Sequence, residues 1–215
     1  MYLSSLSFFQ RTKNRYLSEH IQNDVGFSMV EVIAVVLMIG ILGTIAIPSW
    51  FNFLNRQRVN KTNDVVFAAI QEAQKEAKQK KISYSVSFKM DNQVPKLAIH
   101  PDSIAASSLA SNQWKSMEES VGIKSGQISF FTNLTGKNTV NSTNPAVNTS
   151  ATYLNSPQTI TFDYMGTLPN FVTPATGEAP GLKIVVAASN NSTKRCVIVK
   201  TILGSTLRGK NNECN

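Results

Sequence analysis

The stretch Gly26-Phe27-Ser28-Met29-Val30-Glu31 runs into Val32-Ile33-Ala34-Val35-Val36-Leu37-Met38-Ile39-Gly40-Ile41-Leu42-Gly43-Thr44-Ile45-Ala46-Ile47-Pro48. The 24 residues Val32–Asn55, between Glu31 and Arg56, carry no formal charge. As a helix they are long enough to cross a bilayer core of roughly 30 Å. Glu31 stands just inside the start of that run, where an unpaired carboxylate is disfavoured and calls for a partner. Read alone, the stretch is a signal anchor with an incidental Glu near its interface.

The combination narrows that reading. A Gly precedes a Phe, a Glu follows four residues after that Phe, and an uncharged helix continues without a polar break. From Gly26 to about Trp50 this resembles the processing site and N-terminal helix of type IV pilins and the related pseudopilins of type II secretion. The resemblance implies cleavage by a prepilin peptidase between Gly26 and Phe27 and N-methylation of the new terminal Phe27. It also implies an assembly role for Glu31, whose carboxylate would neutralise the Phe27 ammonium of a neighbouring subunit. A subunit out of register would leave both charges unpaired, so the pair fixes register rather than catalysing anything. Gly40, Gly43 and Pro48 match positions where helices of this family loosen within a filament; close helix packing or a kink accounts for them equally well.

Outward from this stretch, residues 1–26 read as a leader, residues 27–55 as a transmembrane and assembly helix, 56–81 as its amphipathic continuation, and 82–215 as an exported β-rich head. Arg11, Lys13 and Arg15 give the leader a basic character that favours a cytoplasmic N-terminus, diluted by Glu19 and Asp24. Removing Met1–Gly26 from the 215 residues leaves 189, enough for one membrane helix and one domain with its own core. Net charge is +8, yet only 16% of residues are charged, so Ser, Thr and Asn must supply much of the polar surface. The basic excess admits nucleic acid or anionic surfaces as partners.

In the continuation, Val59, Val66, Ile70, Ala73 and Ala77 recur at helical spacing and predict the face on which the head packs; a coiled-coil surface is the alternative. Glu76 and Lys80 form an i,i+4 pair. From Ile82 the period changes to two: Ile82-Ser83-Tyr84-Ser85-Val86-Ser87-Phe88 alternates apolar and polar, and Pro95–Ile99 can return across Asp91-Asn92-Gln93 as a hairpin. Further strands are expected at Gln127–Thr132, Thr159–Tyr164, Leu182–Ala188 and Arg195–Ile202. Gly136–Ser156, rich in Asn, Thr and Ser, reads as a long exposed loop. A helix followed by consecutive strands predicts an α+β fold, with the long N-terminal helix packed on antiparallel sheet.

Two passages bear on the subfamily. Thr159–Pro169 is a strand ending in a Gly turn, and Arg195–Arg208 is a strand, a Gly turn and a basic tail. Together they are similar to the pseudopilin H and fimbrial-biogenesis protein T group of minor pilins. Some members of that group contact DNA through a Gly-Arg-x-Arg-like tail. Here Gly204 is followed by Ser205, and Arg208 lies further along, so the motif is incomplete. Lys194, Arg195, Lys200, Arg208 and Lys210 are the candidate contacts.

Cys196 and Cys214, with 17 residues between them, both fall in the exported part. In an oxidising compartment they can close one bridge or remain two free thiols. Of the two His residues, His20 is in the leader and His100 stands alone; no His/Cys/carboxylate cluster has metal-ligand spacing and no Gly loop suits a phosphate. The sequence therefore predicts no enzyme and no cofactor. The expected function is a structural minor pilin or pseudopilin of a type IV pilus or type II secretion filament, held in the inner membrane with its head in the periplasm or on the cell surface. Its expected partners are other pilin subunits, the membrane and the prepilin peptidase. The alternatives are a DNA-binding minor pilin of the natural-transformation machinery and a membrane-anchored enzyme or binding domain that never polymerises.

Overall fold

The structure is a computed structural model that describes residues 26–141, 145–150, 152–171, 181–189 and 193–215. The leader reading therefore lies outside the described residues except for Gly26. The chain divides into two compact units, Met1–Ile45 and Ala46–Asn215. Helix α1 (Met29–Lys80) begins in the first unit and ends in the second.

In the first unit the large apolar side chains of α1 are all exposed, from Val32 at 50% to Met29 at 81%. By length and composition the helix can cross a membrane. In the second unit that exposure continues to Phe53, and from Val59 onward α1 behaves as a globular helix. Val59, Thr62, Asn63, Val66, Ala69, Ile70, Ala73 and Ala77 are buried, and their steps of three and four mark one stripe. The five positions expected on that stripe are all there. Its alanines let the sheets approach the helix closely. Lys80 ends α1 with a 2.8 Å ion pair to Glu76. The hydrogen bonds that Lys80 donates to Glu76 and then to Tyr84 raise its pKa.

Among the described residues the head has ten strands. The first two, β1 (Tyr84–Asp91) and β2 (Val94–Pro101), form the expected hairpin in register Asp91↔Val94. Asn92 and Gln93 both take positive φ, the conformation a two-residue hairpin turn requires. Next come β3 (Lys115–Ser116), a short helix α2 (Met117–Val121), β4 (Ile128–Thr132), β5 (Leu134–Gly136) and β6 (Thr139–Val140). The chain ends with β7 (Gln158–Phe162), β8 (Leu182–Ala188), β9 (Lys194–Val199) and β10 (Thr206–Lys210). They make two four-stranded sheets, ordered β3-β2-β1-β7 and β10-β9-β8-β4, and a small β5-β6 pair. Every pairing is antiparallel. One core joins the α1 stripe to the inner faces of both large sheets, through Val86, Phe88 and Phe162 of the first and Phe130, Ile184 and Val197 of the second. The fold is α+β, as expected.

Several boundaries differ from the sequence reading, for local reasons. Strand β7 stops at Phe162 because Asp163 starts a turn: its carboxylate accepts from the Met165 and Thr167 amides and the Thr167 hydroxyl. Strand β9 stops at Val199, since Thr201–Gly204 turns the chain back. Beyond it, the expected basic tail is the strand β10. Gly136–Ser156 is not simply an exposed loop: it completes the β5-β6 pair, bridges Thr132 to Asn148 and buries Leu154. Asn138 anchors it from the inside. Its amide nitrogen donates to the Thr161 and Pro169 carbonyls, and its oxygen accepts the Thr161 amide. Composition hides such an element, because a satisfied Asn is as much a core residue as a Leu.

Helix and sheets are also tied by one polar side chain. The Gln74 amide donates at 2.8 Å to the Gly166 carbonyl, in the turn after β7, and at 3.0 Å to the Leu203 carbonyl, in the turn after β9. Gly204 has φ +76°, and a Cβ there would collide with Gln74 and Phe162. Only glycine lets that turn seat against the helix.

Candidate functional site

The residues singled out from sequence fall in three places. The first is the start of α1. Gly26, Phe27 and Ser28 precede the helix, and Phe27 is 81% exposed, so the Gly26–Phe27 peptide bond is sterically open. Ser28 caps α1: its hydroxyl and its carbonyl both accept the Glu31 amide. Ser28 and Glu31 stand in the Ser-x-x-Glu spacing of a capping box, so Glu31 also has an ordinary reason to sit in a first turn. Its side chain is exposed.

A Cβ added at Gly40 or Gly43 would meet nothing within 4 Å. Nothing inside the chain therefore requires glycine at either position. Pro48 lies inside α1 and has no amide to give the Thr44 carbonyl. The Thr44 hydroxyl bonds back to the Ile41 carbonyl at 2.7 Å.

The second place is the outer face of the β10-β9-β8-β4 sheet. Cys196 and Cys214 form a disulfide with their Cα atoms 5.6 Å apart. Both are buried, in a satellite cluster with Phe131, Val185, Ala187 and Ile198. Gly209 faces the bridge, and a Cβ on it would fall 2.7 Å from the Cys196 sulfur.

The third is the β9–β10 hairpin. Its register sets Lys210 opposite Arg195 and Arg208 opposite Val197. Arg195, Arg208 and Lys210 thereby share the inner face, while Lys194 alternates to the outer one and Lys200 lies past the end of β9. Two of the three inner cations reach across to α1. Arg195 donates to the Asn60 side chain at 2.9 Å, and Arg208 pairs with Asp64 at 2.8 Å and lies 4.0 Å over the Phe67 ring. Lys194 donates to the Asn215 side chain. These three candidate cations hold the hairpin in place. The Lys210 ammonium has no partner among the described residues; its backbone amide is held by Glu213.

Between α1 and this hairpin lies an open cleft of about 560 Å³, lined by Asn60, Asn63, Asp64, Arg195, Arg208, Gly209, Lys210 and Glu213. Asn63 is 4% exposed, and its side-chain oxygen has no hydrogen-bond partner.

Sequence reasoning missed a polar layer on the outer face of the β3-β2-β1-β7 sheet. Ser85 and Ser87 of β1 are fully buried. Ser87 bonds to His100 Nε2 at 2.9 Å and to the Thr159 hydroxyl at 2.8 Å, while His100 Nδ1 faces the Pro101 carbonyl. That carbonyl can only accept, so the ring proton sits on Nδ1 and Ser87 donates to Nε2. Burial pushes Asp102 up, but hydrogen bonds from Lys137 and Ser85 outweigh it and hold its carboxyl below the ordinary value. The period-two pattern marks this face as polar. It gives no sign that the segment carrying Leu109 and Trp114 covers it.

Among the described residues no group of three or more His, Cys, Asp or Glu lies together so as to hold a metal ion. Comparison of the chain with family models, curated proteins and solved structures finds no match.

Proposed function

We propose that the chain is a structural minor pilin or pseudopilin, a subunit that enters a type IV pilus or type II secretion filament by its N-terminal helix and displays the β-rich head. The observation that carries this reading is the first half of α1. A helix whose apolar side chains are all exposed needs an apolar surrounding, which a membrane supplies before assembly and neighbouring helices supply after it. The open Gly26–Phe27 bond ahead of it and Glu31 in its first turn fit processing and register. Gly40 and Gly43, which nothing in the chain requires, fit close approach by another helix.

The test is mass spectrometry of the protein from its own cells, joined to filament isolation. The expected mature N-terminus is methylated Phe27. Glu31→Ala is expected to reach the membrane with a folded head and yet be lost from filaments. A mature terminus elsewhere, or normal incorporation of the Glu31→Ala subunit, overturns the reading.

The DNA-binding alternative draws on the row Arg195, Arg208 and Lys210. It is weakened by two of those side chains already being bonded to α1. The Phe67 ring beside them is also covered by Arg208, so it offers no open stacking face.

A further inference from the structure

The cleft between α1 and the β9–β10 hairpin presents an unusual set of groups. Arg195, Arg208 and Lys210 line it with positive charge. Asp64 is already paired with Arg208, and Glu213 accepts the Lys210 amide, so the two carboxylates are engaged while the Lys210 ammonium is not. Most buried of the polar side chains is Asn63, 96% buried, with an acceptor oxygen that nothing among the described residues satisfies. A buried amide oxygen of that kind requires a donor. That oxygen has less than 1 Å² of accessible surface, so a donor reaches it only once the Asn63 side chain turns toward the cleft. The matching ligand then carries an anionic group for Arg195 and Lys210 and, close beside it, a hydroxyl for Asn63.

Position along the helix identifies the source. Ile47, Trp50, Phe51 and Phe53 of α1 are exposed and apolar, then Arg56, Arg58 and Lys61 follow, and the cleft residues Asn60, Asn63 and Asp64 come next. From Arg56 it is about 6 Å of helix to Asn60 and about 10 Å to Asn63, so the cleft starts within the headgroup layer outside a bilayer core and ends at its outer edge. A cleft at that level faces lipid headgroups. We propose that it binds the headgroup of an anionic glycerophospholipid. The phosphodiester lies between Lys210 and the outer guanidinium nitrogens of Arg195, whose Nε stays on Asn60, and a headgroup hydroxyl donates to the Asn63 oxygen. The inference rests on α1 entering a membrane and does not depend on assembly into a filament.

The experiment uses the full chain in neutral detergent micelles, titrated separately with dihexanoyl-phosphatidylglycerol, dihexanoyl-phosphatidylcholine and inorganic phosphate. Affinity is read from native mass spectrometry, and the fold from the thermal unfolding midpoint. Phosphatidylglycerol is expected to bind best, and Lys210→Gln to weaken it by about fivefold, the effect of one interfacial cation. Asn63→Leu is expected to erase the preference for the hydroxyl-bearing headgroup. Lys124→Gln, an exposed cation after α2, is expected to change nothing. Because the Lys210 ammonium has no partner among the described residues, its variant keeps the test decisive even if Asn63→Leu does not fold. Equal binding of the two lipids, binding of inorganic phosphate as tight as that of the lipid, or an unchanged Lys210→Gln overturns the proposal. So does displacement of the lipid by short duplex DNA through the same residues, which would assign the cleft to nucleic acid. Since the isolated chain is measured, a failure here is separable from a failure to assemble.

Discussion

Across Met29–Phe53 the large apolar side chains of α1 are exposed, from 49% at Phe53 to 81% at Met29, while Val59, Val66, Ala73 and Ala77 are at 0%. The same helix therefore satisfies itself in two ways. Its later part, with the head, finds its partners inside the chain: the stripe against two sheets, Asn138 against backbone, Cys196 against Cys214. Its earlier part leaves its large apolar side chains exposed, and a Cβ at Gly40 or Gly43 would meet nothing within 4 Å. The difference separates two kinds of sequence constraint. Substitutions in the head are expected to act through folding, and on the proposed function those in Met29–Phe53 are expected to act through insertion and assembly.

The sharpest way to break this contrast is a charge placed in each region. Ile70→Asp, in the fully packed stripe, is expected to destabilise the head by more than about 4 kcal/mol, whereas Ile39→Asp should leave its unfolding midpoint unchanged and impair membrane insertion. Thermal unfolding of the full chain in detergent, with membrane fractionation alongside, distinguishes them. Equal effects of the two on head stability would dissolve the distinction.

Next in size is the disulfide. Replacing both Cys196 and Cys214 by Ser is expected to lower head stability by about 3 kcal/mol, measured by denaturant unfolding under non-reducing conditions, with faster proteolysis near Cys214. Membrane insertion should not change.

The acid response sharpens the comparison further. Burial pushes Asp163 up, but the Thr167 hydroxyl and the turn amides outweigh it; Asp102 is likewise held down by Lys137 and Ser85. Both carboxyls titrate below their ordinary 3.8 when folded. Their contribution is present above that value and is lost as pH falls through the lower folded values. A pH series of head unfolding should show this loss, and Asp163→Asn should flatten it. A stability independent of pH over that window would exclude these turns as the cause. The smallest effect belongs to the Glu76–Lys80 pair at the surface, where Glu76→Gln should change head stability less than any variant above and the change should be masked by salt.

What the sequence made legible follows the same division. Periodicity found the stripe Val59–Ala77, the β1–β2 hairpin and β8, because in each the apolar spacing is the structure. It did not find β10, whose Thr-Leu-Arg-Gly-Lys has one large apolar residue; that strand is held by its ladder to β9, by Gly209 beneath the disulfide and by Arg208 reaching α1. It did not find Asn138 or the Ser87–His100–Thr159 layer either, since a polar residue satisfied in the interior looks like one in solvent. Of the candidate cations, composition gave five. Only the register shows that Arg195, Arg208 and Lys210 share a face and that two of them are occupied. The Asn63 cleft had no signal, for it depends on a stripe position meeting a hairpin 130 residues away.

The Gln74 side chain has a mechanical meaning as well. Its single amide grips the turn leaving β7 through Gly166 and the turn leaving β9 through Leu203, and those two turns are joined by the Leu168 amide donating to the Ile202 carbonyl. Tension applied to α1 would therefore reach the turn after β7 and the turn after β9 through one shared side chain, while the Asn60–Arg195 and Asp64–Arg208 contacts would load the second sheet in addition. Against those two contacts the first sheet sets the Lys80–Tyr84 bond at the end of the helix, so a pull would be shared unequally between the sheets.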